Sequence, residues 1–169
     1  DEVQAAVRET VAHAAASLGV ENGVVKGDIV IHEGRPYVIE LAARLSGGYF
    51  CTHEIPLNTG VDFVGAAILI ALGEKPKAAA LTTQLQVGVA QRYLFPQPGK
   101  VVAISGIENV ASRSEIALCE IRVRVGDVIG NIDSHPARAG VVIATGTDRN
   151  VALERAIQAV SDIHINTIQ

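Results

Sequence analysis

Two neighbouring apolar segments near the start of the chain carry charged residues two or four positions apart, which would put these charges on one face of a β-strand. The first segment covers residues 24–31 and the second covers residues 38–45. Glu33, Gly34 and Arg35 lie between the two segments and are typical of a turn. The pattern therefore predicts a β-hairpin.

The register of this hairpin decides whether two carboxylates lie side by side. If the loop consists of the three residues 33–35, His32 faces Pro36, and Asp28 lies directly opposite Glu40 on the same face. A two-residue loop would break this pairing.

Two carboxylates at opposed positions repel each other, so such a pair requires a compensating cation, and Mg²⁺ with its preference for oxygen ligands would meet this requirement. Alternation along the strand would place Glu40, Ala42 and Arg44 on one face, from which Arg44 could reach a phosphate that the metal bridges. The alternative is that both acids lie on a solvated face of the sheet. Lys26 shares the face of Asp28 if no bulge intervenes, and a plain surface lysine is the favoured interpretation.

Helical spacing of apolar residues marks two further segments in the first part of the chain. Residues 2–18 predict an amphipathic helix that ends at Gly19. Residues 63–72 predict a second helix, for which Thr59 and Asp62 form a weak capping box.

The second part of the chain reads as short strands with one helix. Residues 147–163 have helical spacing, and Asp148 suits the N-terminus of that helix. We place the domain boundary so that residues 1–76 and 77–169 form separate domains. The strand-like runs predict a small antiparallel sheet or partial barrel and cover residues 84–94, 100–105, 115–125, 140–145 and 163–167.

Composition narrows the classes of protein that remain. The chain has 169 residues, of which 49% are hydrophobic, and a net charge of −4, which fits a soluble α/β protein and disfavours nucleic acid as a partner. No apolar run reaches the roughly 18 residues of a membrane helix, and no signal peptide is recognisable, so we expect no membrane partner and a cytoplasmic location. The chain begins at Asp1 and contains no methionine, from which we expect a piece of a longer protein.

Cysteine and histidine give no sign of a zinc or redox site. Cys51 and Cys119 lie far apart without a C-x-x-C spacing, which predicts two ordinary thiols. The five histidines are scattered, and no two of them have the helical spacing of a zinc site.

The motifs of the first part, taken in order, resemble the C-terminal half of an ATP-grasp domain. The resemblance implies that Asp28 and Glu40 bind the Mg²⁺ (or Mn²⁺) ions of ATP, that Glu40 and Arg44 contact the nucleotide, and that Arg44 acts in catalysis by holding the acyl-phosphate. Ala42 departs from the family, which usually has asparagine there, and this weakens one metal contact. The motifs are a lysine-containing strand, Asp28, a hairpin, Glu40-x-x-x-Arg44, a glycine loop, and Asn58-Thr59-Gly60-Val61-Asp62 at the start of a helix.

The second part adds to this resemblance. Residues 96–101, and residues 140–149 before a helix, are similar to the C-terminal domain of biotin carboxylases and of L-amino acid ligases. The implied fold class is α+β, with the C-terminal part of an ATP-grasp domain, an antiparallel sheet with helices, followed by a small antiparallel sheet or partial barrel with a helix.

The residues after Arg44 indicate which chemistry to expect. Biotin carboxylases continue here with glutamine, valine and glutamate, which hold bicarbonate, whereas this chain has Ser46, Gly47 and Gly48, so the bicarbonate site is absent. The adjacent glycines instead let backbone N–H groups approach a substrate carboxylate or acyl-phosphate. The resemblance thus implies an ATP-grasp ligase that forms C–N bonds through an acyl-phosphate, with ATP as co-substrate and a small carboxylate and an amine as substrates. We expect this fragment alone to be inactive without the missing N-terminal part, and we also consider a homodimer. Ala42 keeps open a noncatalytic ATP-grasp-derived binding or dimerisation module.

Overall fold

The structure of the protein, a computed structural model, describes residues 2–169. The chain forms two compact units. The first consists of the residues up to Pro56 and of Gly60–Gln84, and the second consists of Leu57–Thr59 and Leu85–Gln169. The domain bounds predicted from the sequence, residues 1–76 and 77–169, stay a prediction.

The first unit combines helices with a two-stranded antiparallel sheet. The helix predicted over residues 2–18, the hairpin and the helix predicted over residues 63–72 are all confirmed. In chain order, the elements of residues 2–84 are α1 (Glu2–Ser17), β1 (Lys26–His32), β2 (Arg35–Ala42), a π-helical turn (Phe50–Glu54), α2 (Ile55–Thr59), α3 (Phe63–Ala71) and a 3₁₀ turn (Ala78–Leu81).

The hairpin turn is shorter than predicted. His32 pairs with Arg35, so the loop consists of Glu33 and Gly34 alone. Both loop residues have positive φ, 49° and 75° respectively, as in the tight type I′ turns that match the twist of two strands. The prediction of a three-residue loop with His32 opposite Pro36 is therefore wrong.

Asp28 nevertheless lies opposite Glu40. The register shifts between Asp28 and Ile29, since Ile29 pairs with Val38 and leaves Ile39 as the extra residue of a β-bulge. The bulge makes up for the shorter loop, so the predicted pairing of the two acids is confirmed for a different reason.

The start of α3 also differs in detail from the expectation. Asp62 is the N-cap of this helix, and one of its carboxylate oxygens accepts a hydrogen bond from the Gly65 N–H at 2.8 Å. Thr59 is instead the last residue of α2, which ends at Gly60 in the left-handed conformation. The predicted capping role of Thr59 is therefore wrong, because a separate short helix precedes α3.

The second unit contains two three-stranded sheets. One has the strand order β3-β7-β5 and the other β6-β4-β8, and the pairs within both sheets are antiparallel. The mixed architecture of helices and antiparallel sheets confirms the predicted fold class. The elements are β3 (Gly88–Leu94), β4 (Gly99–Ser105), α4 (Ile107–Ala111), β5 (Ile116–Ile121), β6 (Val128–Ile129), β7 (Gly140–Gly146), α5 (Arg149–Ser161) and β8 (His164–Ile168).

The core of the second unit is built around β7 and α5. The side chains of residues 141–144 are fully buried in the middle strand of one sheet. Ala152, Ala156 and Ala159 form the buried stripe of α5, whose small side chains let the helix pack closely on the sheet. Asp148 caps α5 as predicted, accepting hydrogen bonds from two backbone N–H groups.

Candidate functional site

The candidate site lies on the hairpin of the first unit, where Lys26, Asp28 and Glu40 meet. The Lys26 ammonium donates a hydrogen bond to Asp28 Oδ2 at 2.6 Å and lies 3.4 Å from Glu40 Oε1. The side chains of Asp28 and Glu40 are 55% and 54% exposed, whereas that of Lys26 is only 22% exposed. One cation therefore bridges two accessible carboxylates on neighbouring strands.

Strand alternation explains why these three side chains share a face. Lys26 pairs with Ala42 and Asp28 pairs with Glu40, two positions further along, while Gly27 pairs with Leu41 between them. A Cβ placed at Gly27 would lie 3.4 Å from Leu41 Cδ1 and 3.7 Å from a methyl group of Val11 in α1. The intervening face thus packs towards α1, and the charged face points away from it.

The position of Lys26 differs from the favoured sequence interpretation. The bulge lies after Asp28, so regular alternation holds between Lys26 and Asp28, and the lysine is an ion-pair partner instead of a plain surface residue. The hydrogen bond to Asp28, together with the charges of Asp28 and Glu40, raises the pKa of the Lys26 amino group above its usual value. The i, i+2 spacing of lysine and aspartate on a strand is the sequence signal for this contact.

Arg44 does not lie on the strand with Glu40. Strand β2 ends at Ala42, and the Arg44 N–H donates to the Ala42 carbonyl in a tight bend. The Arg44 guanidinium is exposed and donates to the Leu45 carbonyl at 3.1 Å. The expectation that Arg44 continues the strand face of Glu40 and Ala42 is therefore wrong, because the chain has already left the sheet.

The glycine loop after Arg44 leads into the π-helical turn. Gly48 has a φ of 64° and Tyr49 a φ of 70°, so two consecutive residues adopt the left-handed conformation before the turn begins. For Tyr49 this conformation is strained, and such strain is often found at functional sites. A Cβ placed at Gly47 would meet no atom within 4 Å, so the backbone there is open to a bound molecule.

Glu54 is a candidate that sequence reasoning missed. It ends the π-helical turn, and its partial burial raises the pKa of its carboxyl group. π-Helical turns occur disproportionately at functional sites. Nothing in the local sequence distinguishes this glutamate from a surface residue, because its burial depends on the fold of the loop around it.

The two carboxylates on the hairpin fit a metal ion that binds together with a nucleotide. Mg²⁺ in nucleotide sites takes one or two carboxylates and completes its coordination with phosphate oxygens and water. Asp28 and Glu40 supply two such carboxylates on one accessible face. Within residues 2–169, no group of three or more His, Cys, Asp or Glu side chains is placed to hold a metal ion by itself.

The two cysteines, Cys51 and Cys119, add no second candidate site. Cys51 and Cys119 are both free thiols, and burial raises the pKa of Cys119. The Cys51 thiol donates to the Ser46 carbonyl, so it fastens the glycine loop to the π-helical turn.

Among the helices of residues 2–169, none has the length and apolar character needed to cross a membrane.

The second unit matches a known domain family. Residues 92–167 match the family model described as L-amino acid ligase C-terminal domain 2. No curated protein matches the chain in sequence.

Solved structures resemble the whole chain in fold. Phosphoribosylglycinamide synthetase from Anaerococcus prevotii matches with a TM-score of 0.86 and 17% identity over 99% of this chain and 43% of its own. L-Amino acid ligase from Bacillus licheniformis matches with a TM-score of 0.79 and 22% identity over 100% of this chain and 42% of its own. N5-carboxyaminoimidazole ribonucleotide synthetase from Thermotoga maritima matches with a TM-score of 0.69 and 16% identity over 99% of this chain and 44% of its own.

The chain spans less than half the length of each of these structures. All three are ATP-grasp ligases, and the resemblance predicted from the sequence motifs is confirmed as a likeness of fold. The chain therefore has the fold of the C-terminal part of the ATP-grasp ligases, and its residues 92–167 match the C-terminal domain 2 of L-amino acid ligases.

Proposed function

We propose that this chain is the metal-binding part of an ATP-dependent ligase that joins a carboxylate to an amine through an acyl-phosphate. The observation that carries the proposal is the cross-strand pair of Asp28 and Glu40 on an accessible hairpin face, in a chain with an ATP-grasp fold. The match of residues 92–167 to the L-amino acid ligase domain supports amine ligation in particular.

In this proposal, Asp28 and Glu40 would hold Mg²⁺, which would supply charge neutralisation at the phosphates of ATP. A substrate carboxylate oxygen attacks the γ-phosphorus and ADP leaves. The amine then attacks the acyl carbon, phosphate leaves, and the amine loses a proton. Arg44 stabilises the transferred phosphoryl group, and the open backbone at Gly47 receives the substrate carboxylate.

The second candidate is a noncatalytic module derived from an ATP-grasp ligase. Two observations favour it: the Ala42 side chain offers no oxygen or nitrogen ligand, and the Lys26 ammonium already pairs with both acids and offsets one of their two charges. A module of this kind would bind Mg²⁺-ATP weakly and release no ADP.

The two candidates differ in substrate-dependent ADP release by the full-length protein. We expect release that requires both an amino acid or other carboxylate and an amine, measured against panels of both. Glu40→Gln removes the negative charge of a metal ligand at constant size and should lower this rate by about a hundredfold or more. Glu33→Gln, at an exposed position in the turn of the same hairpin, is the matched control and should keep the rate of the unchanged protein.

If no carboxylate and amine pair gives ADP release, and Mg²⁺-ATP does not bind, the noncatalytic module becomes the better description. Equal rates for Glu40→Gln and Glu33→Gln would show that Glu40 is not a metal ligand, although the protein would still be a ligase.

A further inference from the structure

A lysine side chain of the protein supplies the cation between the two acids of the hairpin. The Lys26 ammonium lies 2.6 Å from Asp28 Oδ2 and 3.4 Å from Glu40 Oε1, the oxygens on which the proposed function places Mg²⁺. A lysine in this position lowers the repulsion that two opposed carboxylates would otherwise suffer. The lysine therefore offsets one of the two negative charges without a metal ion, and the cluster keeps a net negative charge that still attracts a cation.

We propose that Lys26 is a built-in competitor of the metal ion, which occupies the Asp28–Glu40 pair until a nucleotide arrives, an inference that rests on the proposed function. Mg²⁺ binds carboxylate oxygens at about 2.0–2.1 Å, so a metal ion on the same oxygens would lie within about 5 Å of the ammonium. Two cations at that separation repel each other. The ammonium must move before the metal ion can bind both acids.

Ala42 makes this arrangement sterically feasible. It is the cross-strand partner of Lys26, and its side chain is a single methyl group. The lysine side chain therefore has only a methyl group beside it across the strand, and it is less than half as exposed as those of the acids it contacts. A larger side chain at position 42 would stand directly beside that of Lys26 on the same face.

Nucleotide phosphates resolve the competition, because they offer the ammonium other anionic oxygens while they bring further ligands to the metal ion. Metal ion and nucleotide then bind together. In the absence of nucleotide, the metal ion alone must displace the lysine without compensation. Lys26 thus makes metal binding conditional on the nucleotide.

The test is Mn²⁺ binding to the full-length protein, followed by electron paramagnetic resonance of the free ion, with and without ADP. Lys26→Met keeps the length of the side chain and removes its charge, so without ADP it should bind Mn²⁺ about tenfold or more tightly than the unchanged protein. Lys26→Arg keeps the charge and should stay close to the unchanged protein. Lys75→Met, at an exposed position after α3, is the matched control and should change nothing.

A second measurement guards against a variant that fails to fold. Circular dichroism establishes that Lys26→Met is folded, and Mn²⁺ should then raise its unfolding temperature by more than it raises that of the unchanged protein. A folded Lys26→Met variant whose Mn²⁺ affinity without ADP is unchanged or weaker overturns the inference.

Glu40→Gln separates this failure from a failure of the proposed function. If Glu40→Gln weakens Mn²⁺ binding in the presence of ADP but Lys26→Met has no effect without it, the metal site stands and only the competition is wrong. If Glu40→Gln binds Mn²⁺ and ADP as the unchanged protein does, the metal site itself is wrong and both proposals fall.

Discussion

The ion pair between Arg113 and Asp162 fastens the end of α5 to the segment after α4. Arg113 Nη2 donates to Asp162 Oδ2 at 2.6 Å, and Gln158 donates to the other carboxylate oxygen at 2.8 Å. The bond from Arg113, followed by that from Gln158 and by the charges of Arg113 and His164, lowers the pKa of Asp162 from its usual 3.8. The ionised carboxylate is therefore the form that the fold stabilises.

This shift predicts a pH-dependent loss of stability. Because the pKa of Asp162 is lower in the folded state, its contribution is present above the unfolded-state pKa and disappears as the pH falls through the folded-state pKa. Arg113→Met should therefore lower the unfolding temperature at neutral pH, and the difference from the unchanged protein should shrink below pH ~4. Thermal unfolding followed by circular dichroism across this range measures it.

Arg155→Met is the control for this experiment. The Arg155 guanidinium donates to the Thr145 carbonyl, which does not titrate, so the effect of this substitution should not fade in the same range of pH. An Arg113→Met difference that stays constant from neutral to acid pH would contradict the assignment.

Among the secondary-structure elements, β7 contributes most to the core of the second unit. It is the middle strand of its sheet and pairs with β3 on one side and β5 on the other. Ile143 in this strand is fully buried and faces Gln91 and Leu118 in the neighbouring strands. Shortening the Ile143 side chain would leave a cavity, because β3 and β5 are hydrogen-bonded to β7 and cannot move in to fill it.

Ile143→Ala should therefore lower the free energy of unfolding by about 2–5 kcal/mol. Chemical denaturation with urea gives this value. Ile157→Ala is the matched control, since Ile157 in α5 is 52% exposed and the same substitution there should change stability by less than about 0.5 kcal/mol. Similar losses for both variants would show that burial in β7 does not determine stability.

The elements that the sequence predicted well are those with long and strong patterns. Residues close together in the sequence determine these elements, so their pattern is visible without the fold. They are the apolar strand β7, the periodic helices α1, α3 and α5, and the Asp148 cap. α4, the π-helical turn and the two-residue strand β6 were not predicted, because each is too short for a period to be visible. Their conformations depend on contacts made elsewhere in the fold.

The candidate site was predicted in part. The pairing of Asp28 with Glu40 is as expected, while the loop length and the position of Arg44 are not. The positive φ of Glu33 and the end of β2 at Ala42 arise from turn geometry and from the loop that follows the strand. Side-chain alternation carries no information about either feature.

On the scale of the whole molecule, the two units differ in how much apolar surface they bury. Among residues 2–169, Cys51 and Val61 are the only buried hydrophobic residues of the first unit, and all the others lie in the second. Both clusters of buried core residues are likewise formed by residues 90–163. The second unit therefore has the larger core of the two.

This difference predicts that the second unit folds by itself. A fragment of residues 85–169 should unfold cooperatively on heating, as measured by circular dichroism, whereas a fragment of residues 1–84 should lose its structure gradually. A fragment of residues 57–169 keeps the hydrogen bonds that Asn58 and Thr59 make with Leu85 and Val87, so it should be more stable than the fragment of residues 85–169. If neither the 57–169 fragment nor the 85–169 fragment unfolds cooperatively, the second unit does not fold by itself.

The bulge in the hairpin has a consequence for the spacing of paired residues. In an uninterrupted hairpin with a two-residue turn, the residues that face each other are always an odd number of positions apart. Asp28 and Glu40 are separated by an even number, and the extra residue Ile39 is what makes this spacing compatible with the short turn. Turn length and bulge therefore depend on each other: with the number of residues between Asp28 and Glu40 unchanged, a two-residue turn keeps the acids opposed only if the bulge is present, and a three-residue turn only if it is absent.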